Sequence, residues 1–200
     1  MKKLKIGIDI DDVVSQTSRM YVLRYNAQFG TNVIYEEMTD YYQMDKNPDI
    51  PPEQIEKFFE ETVGTTEFQH TLLPYTEVSD IVNKWSNKGH TVHYITARPL
   101  SWKKLTRSWL ETHGLWVKGA RLDLHDRLSN ITGAEYKALT VKQFKIDIMI
   151  EDYLEYVKGM DIPVLLIDRP WNRVKLPKHV SRVHNWKEID EYVEKMEKIS

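Results

Sequence analysis

The sequence predicts an α/β fold built on a doubly wound, mainly parallel sheet of five strands. Five short apolar runs have the length and composition of strands, and they span residues 4–10, 90–95, 120–124, 146–150 and 163–167. The first, fourth and fifth runs are rich in Ile, Val and Leu with little polar alternation, which is typical of strands buried on both faces of a parallel sheet. Helical patterns lie between the runs, and this alternation favours right-handed crossover connections.

The helical patterns are defined by apolar spacing and by capping residues. Residues 77–87 carry apolar side chains at the spacing of one helix face, namely Val78, Ile81, Val82 and Trp85. Further helices are predicted from Ser101 to Gly114, over 134–144, over 153–158, and after a capping box formed by Asn185 and Glu188.

One segment interrupts the alternation of strands and helices. Residues 13–74 contain no convincing strand, and their roughly 60 residues far exceed what a strand-to-helix crossover needs. Two helices are predicted around a polar loop at 39–52; the first has Val14, Ser18, Tyr21, Tyr25 and Phe29 on one face, and the second carries Ile55, Phe58, Phe59 and Val63. We therefore expect a core domain of residues 1–14 and 75–200, with an all-helical domain of residues 15–74 inserted after the first strand.

Composition removes several functional classes. The net charge is −2 and no block of Lys or Arg occurs, so nothing favours nucleic acid or an anionic membrane surface as partner. The absence of Cys removes disulfides and thiolate chemistry. No run approaches the ~20 apolar residues of a membrane span, and Asp9, Asp11 and Asp12 interrupt the N-terminal apolar run too early for a signal peptide. We expect a cytoplasmic protein. The sequence does not decide whether it forms a homodimer.

Three carboxylates follow the first strand within four positions: Asp9, Asp11 and Asp12. Ligands of open α/β sheets bind beyond the carboxyl ends of the strands. Crowded like charges there are unfavourable unless a cation neutralises them. Capping of the next helix accounts for Asp12, but it accounts poorly for Asp9, which still belongs to the strand. We therefore predict functional roles for Asp9 and Asp11.

Later strands end in further polar residues. Thr96 and Arg98 end the second strand, where a hydroxyl and free backbone N–H groups suit a phosphate oxygen. Glu151 and Asp152 end the fourth strand, and Lys137 lies on the helix that leads into it. Each signal alone is weak, because Thr at a strand end is often a cap and a helical Lys is usually solvated.

Taken in order, these residues resemble the four motifs of the haloacid dehalogenase superfamily of phosphohydrolases. That superfamily also carries a small helical cap after strand one, and its sheet has the strand order 5-4-1-2-3. The start Asp-Ile-Asp-Asp-Val, the segments Ile-Thr-Ala-Arg-Pro and Ile-Glu-Asp-Tyr, and Asp-Arg-Pro-Trp-Asn at 168–172 are most similar to bacterial nucleotidases of the 5′(3′)-deoxyribonucleotidase family.

The resemblance implies a role for each matching residue. Asp9 would be the nucleophile and form an aspartyl-phosphate. Asp11 would protonate the leaving alkoxide and later activate water, which calls for a pKa raised by its acidic neighbours. Mg²⁺ would be held by Asp9, the backbone carbonyl of Asp11 and Asp152. Thr96 and Lys137 would hold the phosphate oxygens.

Other residues receive lesser roles. Glu151 would support the metal site without direct contact. Arg98, Tyr41 and Tyr42 are predicted to contact substrate, whereas the other aromatic residues of the helical segment are expected to form its core.

The chain departs from the superfamily pattern at two positions. Val13 stands where many members have Thr or Ser, and Tyr156 stands where the last motif has a second Asp. Metal binding there would rest on Asp152, with Glu155 acting through a water.

The expected activity is magnesium-dependent hydrolysis of a phosphate monoester, with a (deoxy)nucleoside 5′-monophosphate as the favoured substrate. Another phosphorylated metabolite, such as a sugar phosphate, is the alternative. A receiver domain that accepts phosphate for signalling is a remote third reading, since such domains lack a helical insertion and carry their Lys at the end of the final strand.

Overall fold

The computed structural model describes residues 2–199, and within this range the strands form one parallel sheet. Its strands are β1 (Lys5–Ile8), β2 (Thr91–Pro99), β3 (Arg121–His125), β4 (Ile148–Glu151), β5 (Val164–Ile167) and β6 (Val180–Val183). They are arranged in the order β3-β2-β1-β4-β5-β6, and every neighbouring pair is parallel. The predicted relative order of the first five strands is confirmed.

The prediction of five strands is wrong, because β6 adds a sixth at the edge beside β5. Its sequence is Val-Ser-Arg-Val, and only Val180 and Val183 are buried. Ser181 and Arg182 are partly exposed, as an edge position permits. The strand therefore has no apolar run by which it could be recognised.

The helices described by the structure are α1 (Thr17–Phe29), α2 (Pro52–Phe58), α3 (Thr66–Thr71), α4 (Val78–Asn87), α5 (Lys103–Thr112), α6 (Gly133–Phe144) and α7 (Trp186–Ile199). The helix predicted over 153–158 is only a short 3₁₀ segment, Leu154–Val157. Val14 was expected on the first helix, but it precedes α1. It is buried in a tight turn where the N–H groups of Val14 and Ser15 both donate to the carbonyl oxygen of Ile10, at 3.0 Å each.

Both faces of the sheet are buried, which confirms the doubly wound arrangement. Along β4, Ile148 and Ile150 belong to the apolar cluster that contains α4, α5 and α7, whereas Met149 belongs to the cluster that contains α6. Leu165 and Leu166 of β5 divide between the same two clusters. Successive strand residues point to opposite faces, so these strands must be apolar throughout.

The chain between β1 and β2 is helical wherever it is regular in the described residues, and we call residues 15–74 the helical insertion. The chain leaves and returns side by side, since Gln16 N–H donates to Leu73 O at 3.0 Å and Tyr75 N–H donates to Val14 O at 2.9 Å. Aromatic rings pack inside the insertion with centroids 4.9–6.1 Å apart, as expected for its core; these are Tyr21, Tyr25, Phe29 and Phe58. Across the described part of the chain, no helix has the length and apolarity needed to cross a bilayer.

Candidate active site

The carboxyl ends of β1, β2 and β4 bring most of the predicted site residues together. Asp9 follows β1 directly, and its N–H donates to Ile150 O at 3.0 Å, so β4 continues to hold the chain at this point. Thr96 lies on β2, and its Oγ1 accepts the N–H of Arg98 at 3.2 Å. Asp152 follows β4. The side chains of Asp9, Thr96 and Asp152 are all buried.

Lys137 is fully buried and forms ion pairs with two carboxylates. Its ammonium group donates to Asp9 Oδ1 at 2.7 Å and to Glu151 Oε1. A capping box of Thr132 and Glu135 fixes the start of α6, which carries Lys137 into the protein rather than into solvent. The structure places the ammonium group against the Asp9 carboxylate, and the contact with the phosphate that the resemblance implies stays a prediction.

Asp9, Glu151 and Asp152 form a cluster in which one oxygen of each lies within 4.8 Å of the others. Burial raises the pKa of Asp9 to about 8, with Lys137 opposing and Glu151 and Asp11 adding to the shift. Burial, followed by the charge of Glu151, also raises the pKa of Asp152 well above its ordinary value. Three carboxylates against one ammonium leave uncompensated negative charge, which a divalent cation with oxygen ligands would neutralise. The residues therefore fit a Mg²⁺ ion.

The supporting role expected for Glu151 agrees with its contacts. Besides its ion pair with Lys137, its Oε2 accepts the N–H of Asp152 at 3.0 Å and of Tyr153 at 3.3 Å. These bonds fix the turn that presents Asp152. Glu155 is exposed instead and pairs with Lys158, so its geometry gives no support for a water-mediated role at the metal.

Asp11 is bound by Arg98 rather than crowded by acids. The Arg98 guanidinium donates through Nη2 to Oδ1 of Asp11 at 2.7 Å and through Nε to Oδ2 at 2.9 Å. Although burial opposes the shift, Arg98 lowers the pKa of Asp11 below its ordinary value. The expectation of a raised pKa is therefore wrong for this state of the protein, because it took account of neighbouring acids and not of a buried guanidinium.

Thr17 supplies a hydroxyl group that contacts Asp11. Its Oγ1 donates to Asp11 Oδ1 at 2.7 Å. Val13 is fully buried, and its carbonyl accepts the indole N–H of Trp186 at 3.1 Å. Asp12 accepts the N–H of Ser18 at 3.1 Å and so caps the start of α1, as predicted. No sequence pattern marked Thr17, which lies six residues from its partner.

The segment after β5 holds Asp152 in place, a role that the sequence did not reveal. The indole N–H of Trp171 donates to Asp152 Oδ2 at 3.1 Å, and the Asn172 amide donates to the Asp152 carbonyl at 2.6 Å. Arg169 donates to the backbone carbonyl of Asp12 at 2.6 and 2.8 Å. The motif at 168–172 therefore connects the ends of β1, β4 and β5.

A cavity of about 140 Å³ adjoins these groups and lies between the sheet and the helical insertion. Asp9, Thr96 and Asp152 line it from the sheet. Tyr41 and Tyr42, which were predicted to contact substrate, line it from the insertion. Asp11 and Arg98 also face this cavity, whereas Lys137 lies behind Asp9. Tyr41 stacks on Tyr153 at 5.0 Å, and the hydroxyl of Tyr42 lies 3.1 Å from that of Tyr156.

Solved structures share the fold of this protein. A predicted phosphatase from Clostridium acetobutylicum has a similar structure, with a TM-score of 0.71 and 11% identity over 97% of this chain and 100% of its own. A haloacid dehalogenase-like family hydrolase from Streptococcus pneumoniae gives a TM-score of 0.62 and 12% identity, covering 96% and 98%. The fold, together with a family match that spans residues 2–198, defines this protein as a phosphatase of the haloacid dehalogenase superfamily.

Comparison of the sequence with known families identifies the family of this chain. The chain belongs to the 5′ nucleotidase, deoxy (pyrimidine), cytosolic type C family, whose sequence profile matches residues 2–198. It is 28% identical over 201 residues to a nucleotidase of Clostridium acetobutylicum, covering 98% of this chain and 96% of that protein. The receiver-domain reading is thereby set aside in favour of a nucleotidase-type enzyme.

Proposed function

We propose that this protein hydrolyses (deoxy)nucleoside monophosphates through an aspartyl-phosphate on Asp9. The observation that carries the proposal is the position of Asp9: its carboxylate is paired with buried Lys137 and lines a cavity shared with Asp11 and Thr96. The family to which the chain belongs supports a nucleotide substrate.

The proposed reaction has two displacement steps. A carboxylate oxygen of Asp9 attacks phosphorus, and the bond to the ester oxygen breaks while Asp11 donates a proton to the departing alkoxide. Because Arg98 lowers the pKa of Asp11, this step requires that Asp11 take up a proton when the substrate binds. Asp11, now ionised, removes a proton from a water molecule that attacks the aspartyl-phosphate and releases inorganic phosphate. The hydroxyl group of Thr96 and nearby backbone N–H groups donate hydrogen bonds to the phosphate oxygens. Lys137 compensates the negative charge of Asp9 in both steps.

Asp9, Asp152 and the backbone carbonyl of Asp11 would hold Mg²⁺, which when bound supplies positive charge to the phosphate oxygens. Trp171 restrains one oxygen of Asp152 in its orientation. We further propose that the helical insertion acts as a cap domain on a core of residues 1–14 and 75–200. Tyr41 and Tyr42 would then contact the substrate from the cap.

Removing Mg²⁺ is expected to abolish turnover and to lower thermal stability. The ion would relieve repulsion in the cluster of Asp9, Glu151 and Asp152, so a saturating concentration of about 100 times Kd should add about 2.7 kcal/mol to the free energy of unfolding. Chelator titration of the rate and calorimetry with and without Mg²⁺ measure both effects. An Asp152→Asn protein serves as control, because its melting temperature should respond less to Mg²⁺. An undiminished rate in excess chelator would rule out the metal site.

Replacing Arg98 by glutamine is expected to move the alkaline limb of the kcat–pH profile to higher pH. Arg98 lowers the pKa of Asp11, so its loss raises that pKa and keeps the proton donor protonated at higher pH. Arg107→Gln is the matched control, because Arg107 is a partly exposed arginine that pairs with Glu111 at 2.7 Å. An unchanged alkaline limb in Arg98→Gln would show that Arg98 does not tune the acid.

A panel of phosphorylated metabolites tests the substrate. We expect nucleoside 5′-monophosphates to give higher kcat/KM than sugar phosphates without a base. The reverse order would reject the nucleotidase proposal and favour the sugar-phosphate alternative, while leaving the chemistry at Asp9 intact.

A further inference from the structure

The side-chain amide of Gln69 is buried, and its nitrogen and oxygen atoms differ in their hydrogen bonding. It lies on α3 with only 1% of its surface exposed. Its Nε2 donates to Val63 O at 3.0 Å, which fixes the orientation of the amide. Its Oε1 is buried and has no hydrogen-bond partner among the residues that the structure describes.

An unpaired buried amide oxygen is unfavourable, and most such atoms in folded proteins are paired. Gln69 lines the same cavity as Asp9 and Thr96. A donor group on a bound molecule that reaches Oε1 would therefore satisfy an acceptor that has no partner among the described residues. Because Nε2 is engaged by Val63, Gln69 can offer an acceptor to that molecule and not a donor.

The wall of the same cavity also has flat apolar surfaces. The rings of Phe59, from the insertion, and Trp102, from the core, stack with centroids 5.7 Å apart and an angle of 18°. Both residues line the cavity. Aromatic faces of this kind bind planar rings. A nucleobase is a planar ring that can carry an N–H donor, whereas a sugar alone offers hydroxyl groups and no flat face.

We propose that Gln69 is a specificity-determining residue that accepts a hydrogen bond from an N–H of the substrate's nucleobase. This inference rests on the proposed nucleotidase function and deepens it, since it assigns base recognition to one acceptor in the cavity. Bases that present a ring or exocyclic N–H to Oε1 are accepted. Bases whose N–H is replaced by N-methyl leave Oε1 unpaired and meet it with added bulk.

The first test uses the unmodified protein and pairs of nucleotides that differ only by methylation of the base. Thymidine 5′-monophosphate is compared with its N3-methyl derivative, and deoxycytidine 5′-monophosphate with its N4,N4-dimethyl derivative. We expect methylation to lower kcat/KM by ~10- to 100-fold in at least one pair, as the loss of a buried hydrogen bond predicts. Equal kcat/KM within both pairs would overturn the role of Gln69.

The second test is Gln69→Met, which keeps the side-chain length and removes the acceptor. We expect it to remove the discrimination between parent and methylated bases and to leave kcat/KM for deoxyribose 5-phosphate unchanged. Gln54→Met, at an exposed glutamine of α2, is the matched control and should keep the discrimination. If Gln69→Met lowers kcat/KM equally for the base-free substrate, the residue does not recognise the base. If Gln69→Met fails to fold, the methylated pairs decide the question alone.

The two levels of the proposal fail in different ways. Nucleotides that are hydrolysed no better than deoxyribose 5-phosphate would overturn the nucleotidase function and this inference with it. Nucleotides that are preferred, but without sensitivity to base methylation, would overturn only the assignment of Gln69.

Discussion

Replacing Asp9 by asparagine is expected to abolish phosphate release while leaving the fold intact. An amide cannot form the acyl-phosphate bond, and loss of a covalent nucleophile lowers kcat by roughly 10⁵-fold or more in comparable enzymes. The substitution should be tolerated because Lys137 keeps its ion pair with Glu151. It also removes one charge from an over-acidic cluster.

The stability of this variant has a predictable sign. The pKa of Asp9 is raised by burial to about 8, so in the metal-free protein its carboxyl group destabilises the fold increasingly as pH rises toward that value. Asp9→Asn should therefore unfold in urea at the same or a higher midpoint than the original protein when no Mg²⁺ is present. Asp49→Asn, at an exposed acid of the insertion, controls for the loss of a charge. Near-normal turnover by Asp9→Asn would contradict the mechanism.

Replacing Lys137 by methionine is expected to impair both stability and activity. The substitution leaves Asp9, Glu151 and Asp152 without the buried ammonium that now compensates them, and removing one partner of a buried ion pair typically costs about 3–5 kcal/mol. We expect kcat to fall by about 10²- to 10³-fold, because the developing charge at Asp9 loses its fixed cation.

The effect on stability should depend on pH. The remaining carboxyl groups are favoured in the protonated form, so the loss measured by urea unfolding should be larger at alkaline pH and smaller at acidic pH. Lys142→Met, at an exposed lysine of the same helix, is the matched control and should change neither quantity. Equal stability of the Lys137→Met and Lys142→Met proteins at alkaline pH would show that the buried ion pairs contribute nothing to the free energy of unfolding.

The sequence predicted those parts of the fold that depend on local pattern. Strands such as β4 and β5 are continuous apolar runs because helices cover both faces of the sheet. The edge strand β6 needs only two apolar side chains, Val180 and Val183, and its Ser-Arg centre conceals it. The helix predicted over 153–158 is longer than the observed segment Leu154–Val157, because periodicity alone does not mark where a helix stops.

The candidate site was predictable where motif order determines it. Asp9, Thr96 and Asp152 follow parallel strands, whose carboxyl ends necessarily meet at one edge of the sheet. Pairing between side chains of distant segments is not encoded locally, so neither the Arg98 bond to Asp11 nor the Trp171 bond to Asp152 could be foreseen. The same holds for the open acceptor of the cavity, which depends on how α3 packs.

Chemical trapping decides whether phosphate passes through a covalent bond to Asp9. The protein is mixed with a nucleoside monophosphate and Mg²⁺, quenched, and treated with borohydride, which reduces an aspartyl-phosphate to homoserine. Asp11→Asn is used alongside, since it should slow hydrolysis of the intermediate and increase the yield. We predict homoserine at position 9 by peptide mass spectrometry. Turnover that proceeds with only aspartate at position 9, in both proteins, would contradict the mechanism.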